Sequence, residues 1–334
     1  MKKLLIAIIM GIFLVSPVYG AAPDYGFYKG KVVNYIVATK PGGGYDAYAR
    51  MIGKYMEKHI PGTTVIVKNV PGAGHIIGAN ETYLAKPDGL TIGTFNTGLI
   101  YSQILKQQGV RFDLTKYSWV GKANSDLRVF IVGNKTPYKT IKDLVASKEP
   151  IKMAASGVGS SAYNETILTA AALGANMKPV PGYSGREGEM AMLRGEVAGT
   201  NGTYSGLVEF IRAGECRVLL QIGAKKHKDL PDVPLASELK GLSERGKALF
   251  SLIVAVNELG RLTAAPPNVP PARLQILREA YKKSLTDPGL LKEMEQMRMD
   301  LDPDFGEEVA KLMKGAINQP EENIKLLQSL IKIE

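Results

Sequence analysis

The apolar positions of this chain recur with two alternating periods. Val32-Val33-Asn34-Tyr35-Ile36-Val37-Ala38 is a β-rich run, and the breaker cluster Pro41-Gly42-Gly43-Gly44 ends it. Over 45–58 the period becomes helical. Tyr48, Met51, Ile52, Tyr55 and Met56 fall on one stripe, while Arg50, Lys54, Glu57 and Lys58 turn away from it. The same reading predicts strands at 65–67 and 90–95 and helices at 76–86 and about 98–108. A second series follows Trp119, with strands at 129–132, 151–155, 197–198 and 218–222 and helices at 141–147, 163–173 and up to Arg194. The last ~70 residues are mainly helical. Leu274, Leu277, Tyr281 and Leu285 make one stripe, and Phe305, Val309, Leu312, Met313 and Ala316 another. Strands alternating with crossover-length helices predict an α/β fold of open, mainly parallel sheets covered on both faces, with a helical C-terminal region.

The first 20 residues do not belong to that pattern. Met1-Lys2-Lys3 is basic, residues 4–15 are almost wholly apolar, and Ser16-Pro17-Val18-Tyr19-Gly20 puts small residues at the positions a signal peptidase reads. The run is too short to span a bilayer. A secretory signal peptide cleaved near Gly20 is therefore expected, and with it export to a periplasm. Cys216 is the single cysteine in 334 residues, so no internal disulfide can form. His59, His75 and His227 lie far apart and show no metal-ligand spacing. No metal and no cofactor are expected. Removing residues 1–20 leaves 40 basic against 32 acidic residues, a net charge of +8. Nucleic acid is not expected as a partner. The basic residues are scattered, the densest run, Lys225-Lys226-His227-Lys228, reads as a solvated loop, and no recognition module is present. A diffuse positive field suits the steering of small anions.

Chemistry is expected in four loops at strand ends. They are 41–46, 71–74, 156–161 and 201–204, each rich in glycine, serine or asparagine. Glycine lets a backbone approach a ligand closely, and the N-terminus of a following helix attracts an anion. The same composition also serves as a plain turn and cap. Ser160 and Ser161 add hydroxyl donors, or one of them caps the helix. Asp46 contacts a ligand, caps the helix beginning near Ala47, or pairs with Arg50, with capping the favoured role. Gly157-x-Gly159-x-x-Ala162 matches a dinucleotide fingerprint in part, but 176–181 lacks the acid that fingerprint wants. No Gly-Lys pair is followed by Ser or Thr, so there is no P-loop. A hydrolase using Ser160 or Ser161 would need a base. His75 is the nearest candidate, though it reads as a partly exposed helix-start residue. An anion-sensing module for a signalling partner is a further alternative.

Taken in order, the loops resemble a known family. Gly42-Gly43-Gly44-Tyr45-Asp46-Ala47-Tyr48-Ala49-Arg50, His59-Ile60-Pro61-Gly62, Val67-Lys68-Asn69-Val70-Pro71-Gly72-Ala73-Gly74 and Pro87-Asp88-Gly89 are followed by Gly182-Tyr183-Ser184-Gly185 and Leu193-Arg194-Gly195-Glu196-Val197. Leu230-Pro231-Asp232-Val233-Pro234 and Ala265-Pro266-Pro267-Asn268-Val269-Pro270 complete the series. This arrangement is similar to the solute-binding receptors of tripartite tricarboxylate transporters, the Bug receptors among them. It departs from many of them at Val197-Ala198-Gly199 and at 257–261, where Val-Asp and Trp-x-Gly segments are common.

The resemblance implies a periplasmic binding protein with two lobes closing like a flytrap, one of 21–123 plus about 250–334 and one of 124–249. It implies a receptor, not an enzyme. Its ligand would be a small di-, tri- or aromatic carboxylate, and its partners a small and a large membrane subunit. A monomer is expected. Carboxylates would be held by loop amides and hydroxyls rather than by a dedicated arginine. The matching positions are Gly43, Gly44, Tyr45, Asp46, Ala73, Gly74 and Asn96 on one side. Across the cleft they are Ser156, Gly157, Gly159, Ser160, Ser161, Tyr183, Asn201 and Thr203.

Overall fold

A computed structural model describes residues 25–125 and 127–331. The expected signal peptide lies outside the described residues. Eleven strands build two sheets among them. Strands β1 (Val32–Val37), β2 (Thr64–Asn69), β3 (Thr91–Phe95) and β4 (Ser118–Lys122) belong to the first sheet. The chain then makes β5 (Arg128–Gly133), β6 (Ile151–Ala155), β7 (Met177–Pro181), β8 (Gly199–Thr203) and β9 (Cys216–Ile222) of the second. It returns to the first with β10 (Leu262–Ala265) and β11 (Asp304–Phe305). The strand orders are β11-β4-β10-β3-β1-β2 and β7-β6-β8-β5-β9.

Helices cover the sheets, as an α/β fold requires. The expectation of mainly parallel strands holds for β2-β1-β3 and β7-β6-β8, where helical crossovers join the neighbours. The other pairings are antiparallel, so both sheets are mixed. The reason is the route of the chain. β10 re-enters the first sheet after a detour through the second, and it arrives from the opposite end. Two further expectations are corrected. The strand foreseen at 197–198 begins instead at Gly199, and the loop foreseen at 201–204 is the end of β8 and the start of the helix Tyr204–Arg212. Pairing on both sides, with β6 and β5, overrides the turn-like composition of Gly-Thr-Asn-Gly-Thr.

Three apolar cores hold these layers. One packs the first sheet against helices Gly44–His59, Pro271–Leu285 and Pro288–Met297. The latter two start on prolines, whose missing N–H costs nothing in a first turn. A second packs the other sheet against Glu187–Arg194 and Tyr204–Arg212. The third runs across both sheets, from Phe95 and Trp119 to Phe130 and Met153, through helices Gly98–Ile104, Ser161–Leu173, Glu244–Asn257 and Gly306–Ile317.

Candidate functional site

In an open sheet a ligand crevice forms beyond the carboxyl ends of two strands whose connections run to opposite sides. β1 meets that condition in the first sheet, with β2 on one side and β3 on the other. β6 meets it in the second, between β7 and β8. The two crevices face each other. Between them lies a cleft of about 130 Å³ lined from both sheets. Five helices begin at its wall: Gly44–His59, Ile76–Leu84, Ser161–Leu173, Glu187–Arg194 and Tyr204–Arg212. Ser160 and Thr203 cap two of them, while the helices following Gly43, His75 and Arg186 have no capping side chain. First-turn N–H groups and the positive helix ends converge on one small volume.

The cleft gathers Gly43, Gly44, Tyr45, Asn96, Ser156, Ser161, Tyr183, Asn201 and Thr203. The other foreseen residues stand behind its wall. Asp46 is buried and does not cap by the usual geometry, because the helix begins two residues earlier. Its carboxylate accepts the Gly42 N–H at 3.0 Å, Arg50 Nε at 3.0 Å and Asn69 Nδ2 at 2.9 Å, fixing the glycine loop. Burial raises its pKa, but these hydrogen bonds prevail and hold it below the usual range. Ser160 is a cap: its Oγ donates to the Gly157 carbonyl at 2.7 Å and accepts the Tyr163 N–H. Ala73, Gly74 and Gly157 form the contact between the loops after β2 and β6, while Gly159 faces Gln107. A Cβ on Gly157 would lie 2.7 Å from Gly74 N, and one on Gly159 would strike the Gln107 amide.

Four cleft residues escaped the sequence reading or were misplaced by it. Arg128, at the start of β5, is buried and donates from Nε to Glu165 Oε2 at 2.6 Å and from Nη2 to Asn201 Oδ1 at 2.9 Å. Arg261 has φ +52°, and its Nη2 donates to Thr203 Oγ1 at 2.6 Å and Ser205 Oγ at 2.9 Å. Its guanidinium lies 4.3 Å and 4.7 Å from the ring centres of Tyr45 and Tyr48. Two arginines thus line the cleft beside the loop amides and hydroxyls. Glu189 sits in the first turn of Glu187–Arg194, and burial raises its pKa. His75, expected to be partly exposed, is 4% exposed. Asn96 Oδ1 accepts the Gly98 N–H, which turns Asn96 Nδ2 toward His75 Nε2 at 2.9 Å. The ring nitrogen facing Asn96 therefore accepts, and the neutral ring carries its proton on Nδ1.

Burial pushes the His75 pKa down to about 4 from 6.5. The unfolded chain thus takes up a proton between pH 6.5 and about 4 that the folded chain refuses. The contribution of His75 is intact above 6.5 and is lost as pH falls through this window, by about 3 kcal/mol at its foot. Urea unfolding across that range should therefore show wild type losing stability more steeply than His75→Gln. Parallel pH profiles would refute the assignment.

Neither Ser160 nor Ser161 has a histidine or carboxylate as hydrogen-bond partner among the described residues. Ser161 Oγ meets Thr97 Oγ1 at 3.2 Å, and His75 Nε2 approaches Ser156 Oγ at 3.4 Å instead. Nothing in this geometry favours a hydrolase. Larger hollows exist, including one of about 760 Å³ beside Lys225 and Glu258. It lies along the segments that cross between the sheets and holds charges of both signs. The smaller cleft alone collects five helix starts, and we place the site there. No helix among the described residues is long and apolar enough to cross a membrane.

Residues 48–328 match the model of the tripartite tricarboxylate transporter family receptor. The chain is 27% identical to Protein BugT of Bordetella pertussis over 242 residues, which cover 69% of this chain and 72% of that one. Its fold is similar to the periplasmic binding protein BugD (TM-score 0.74, 24% identity, 92% of this chain and 99% of that one). It is also similar to MatC from Rhodopseudomonas palustris, solved with bound malate (TM-score 0.74, 20% identity, 89% and 99% covered).

Proposed function

Because this chain belongs to the tripartite tricarboxylate transporter receptor family, we propose that it is an exported solute-binding receptor that captures a small carboxylate in the cleft between its two sheets. The observation that carries the ligand class is the convergence of five helix N-termini on that cleft, beside the guanidinium groups of Arg128 and Arg261. Uncapped first-turn N–H groups need an acceptor, and a carboxylate offers two oxygens with several lone pairs. Malate in MatC, a protein of similar fold, agrees with this reading. The hydroxyls of Ser156 and Ser161 and the amide of Asn96 stand where they can complete the shell.

The two sheets with their helices act as the lobes of the receptor, 21–123 with about 250–334 against 124–249. Two contacts join them at the rim of the cleft. Lys40 Nζ meets Glu187 Oε1 at 2.7 Å, and Arg186 Nε donates to the Gly42 carbonyl at 2.8 Å. Such exposed contacts contribute little each. Ligand bound to both lobes would tip the balance toward a closed form, and the closed form would be read by the small and large membrane subunits. Export follows cleavage near Gly20.

A thermal-shift series with mono-, di- and tricarboxylates, aromatic ones included, tests the reading. A ligand at about 100 times its Kd stabilises the fold by about 2.7 kcal/mol. Absence of any shift across the series would overturn the assignment of a carboxylate.

A further inference from the structure

One group in the cleft does not suit an anion. Glu189 lines the same wall as the helix starts and is 8% exposed. Among the described residues no cation comes within 4.0 Å of its carboxylate and no side chain donates to it; its own backbone N–H does. Arg186, whose charge acts on it, is turned outward to Gly42 and to Glu209 at 2.6 Å. Arg128, in the same cleft, is held by Glu165. Tyr183, Ala154 and Leu207 line the same cleft. A plain dicarboxylate set here would bring like charge against a buried acid, at a cost that low dielectric magnifies.

We propose that Glu189 is a specificity-determining residue that receives an ammonium group, so that the preferred ligand is a small amino-substituted carboxylate. The inference rests on the carboxylate reading above and adds to it the second pole of the ligand. The carboxylate would lie among the helix starts and the ammonium against Glu189, each charge meeting its opposite. Burial of an acid whose hydrogen-bond donor is its own backbone N–H alone is costly, and the ligand would relieve that cost on binding. Glu189 would then discriminate between ligands of equal size by what each carries beside its carboxylate.

The test uses the mature protein and two matched trios, measured by calorimetry. They are aspartate, malate and succinate, and alanine, lactate and propionate. In at least one trio the amino member should bind tightest and the unsubstituted member weakest. Glu189→Gln should weaken the amino member by about tenfold or more while leaving the unsubstituted member unchanged or tighter. An unsubstituted acid binding as well as its amino counterpart overturns the proposal, as does a Glu189→Gln loss equal for all three members. Both results leave the carboxylate reading standing. No binding by any of the six overturns this proposal, and the carboxylate reading then stands or falls on the tricarboxylates and aromatic carboxylates of the thermal-shift series.

Discussion

Glu165→Leu is expected to destabilise the protein by about 3–5 kcal/mol, seen as a fall in the urea midpoint at unchanged slope. Both carboxylate oxygens of Glu165 are engaged, Oε2 by Arg128 Nε at 2.6 Å and Oε1 by Asn257 Nδ2 at 2.8 Å, and the side chain is fully buried. Leucine would leave the Arg128 guanidinium in the cleft floor with its charge uncompensated. Most of the loss comes from that stranded charge and not from the missing attraction. The double variant Arg128→Met with Glu165→Leu should therefore recover much of the stability, because two apolar side chains of similar volume replace a costly buried pair. It should also bind a carboxylate more weakly than wild type, having lost a cleft cation. A single Glu165→Leu variant as stable as wild type would refute the account.

Gly157→Ala should leave each sheet folded yet cut ligand affinity by up to about 100-fold. The new Cβ would sit 2.7 Å from Gly74 N and 3.1 Å from Gly74 Cα, and both atoms are backbone that cannot swing aside. Overpacking of this kind costs about 1–3 kcal/mol, and each 1.4 kcal/mol is tenfold in affinity. The loops after β2 and β6 would have to part, and the halves would close less fully. Small-angle scattering should give a larger radius of gyration for the variant than for wild type under the same carboxylate. Equal radii and equal affinities would show that the loop contact does not govern closure.

Most of the alternation was legible because helices such as Gly44–His59 and strands such as β1 carry their own periodicity. β4, β7, β10 and β11 were not. Leu-Thr-Ala-Ala is too short and too plain to declare a strand, and becomes one only between β3 and β4. The candidate site divides the same way. Glycine loops announce themselves by composition, so Gly43, Gly44 and Ser161 were found. Arg128 and Arg261 belong to segments whose local pattern gives no reason to turn a guanidinium inward. Ser160 and Asp46 have the right chemistry, but capping and loop-fixing bonds use it up. His75 is held by residues 21 and 81 positions away, which no local window contains.

The place of β10 also decides the order in which the molecule can assemble. During synthesis the chain makes β1 to β4 first, but β3 and β4 have no bond to each other until Leu262–Ala265 slides between them. Until then one edge of β3 and both edges of β4 stand open, and open edges invite pairing with other chains. The second sheet has no such debt to a later segment, since β5 to β9 pair only among themselves within 128–222. The strands of the half written second are thus free to pair first. The half written first must wait for most of the chain, and folding acquires the long loop closures that slow a nascent protein and expose it to aggregation.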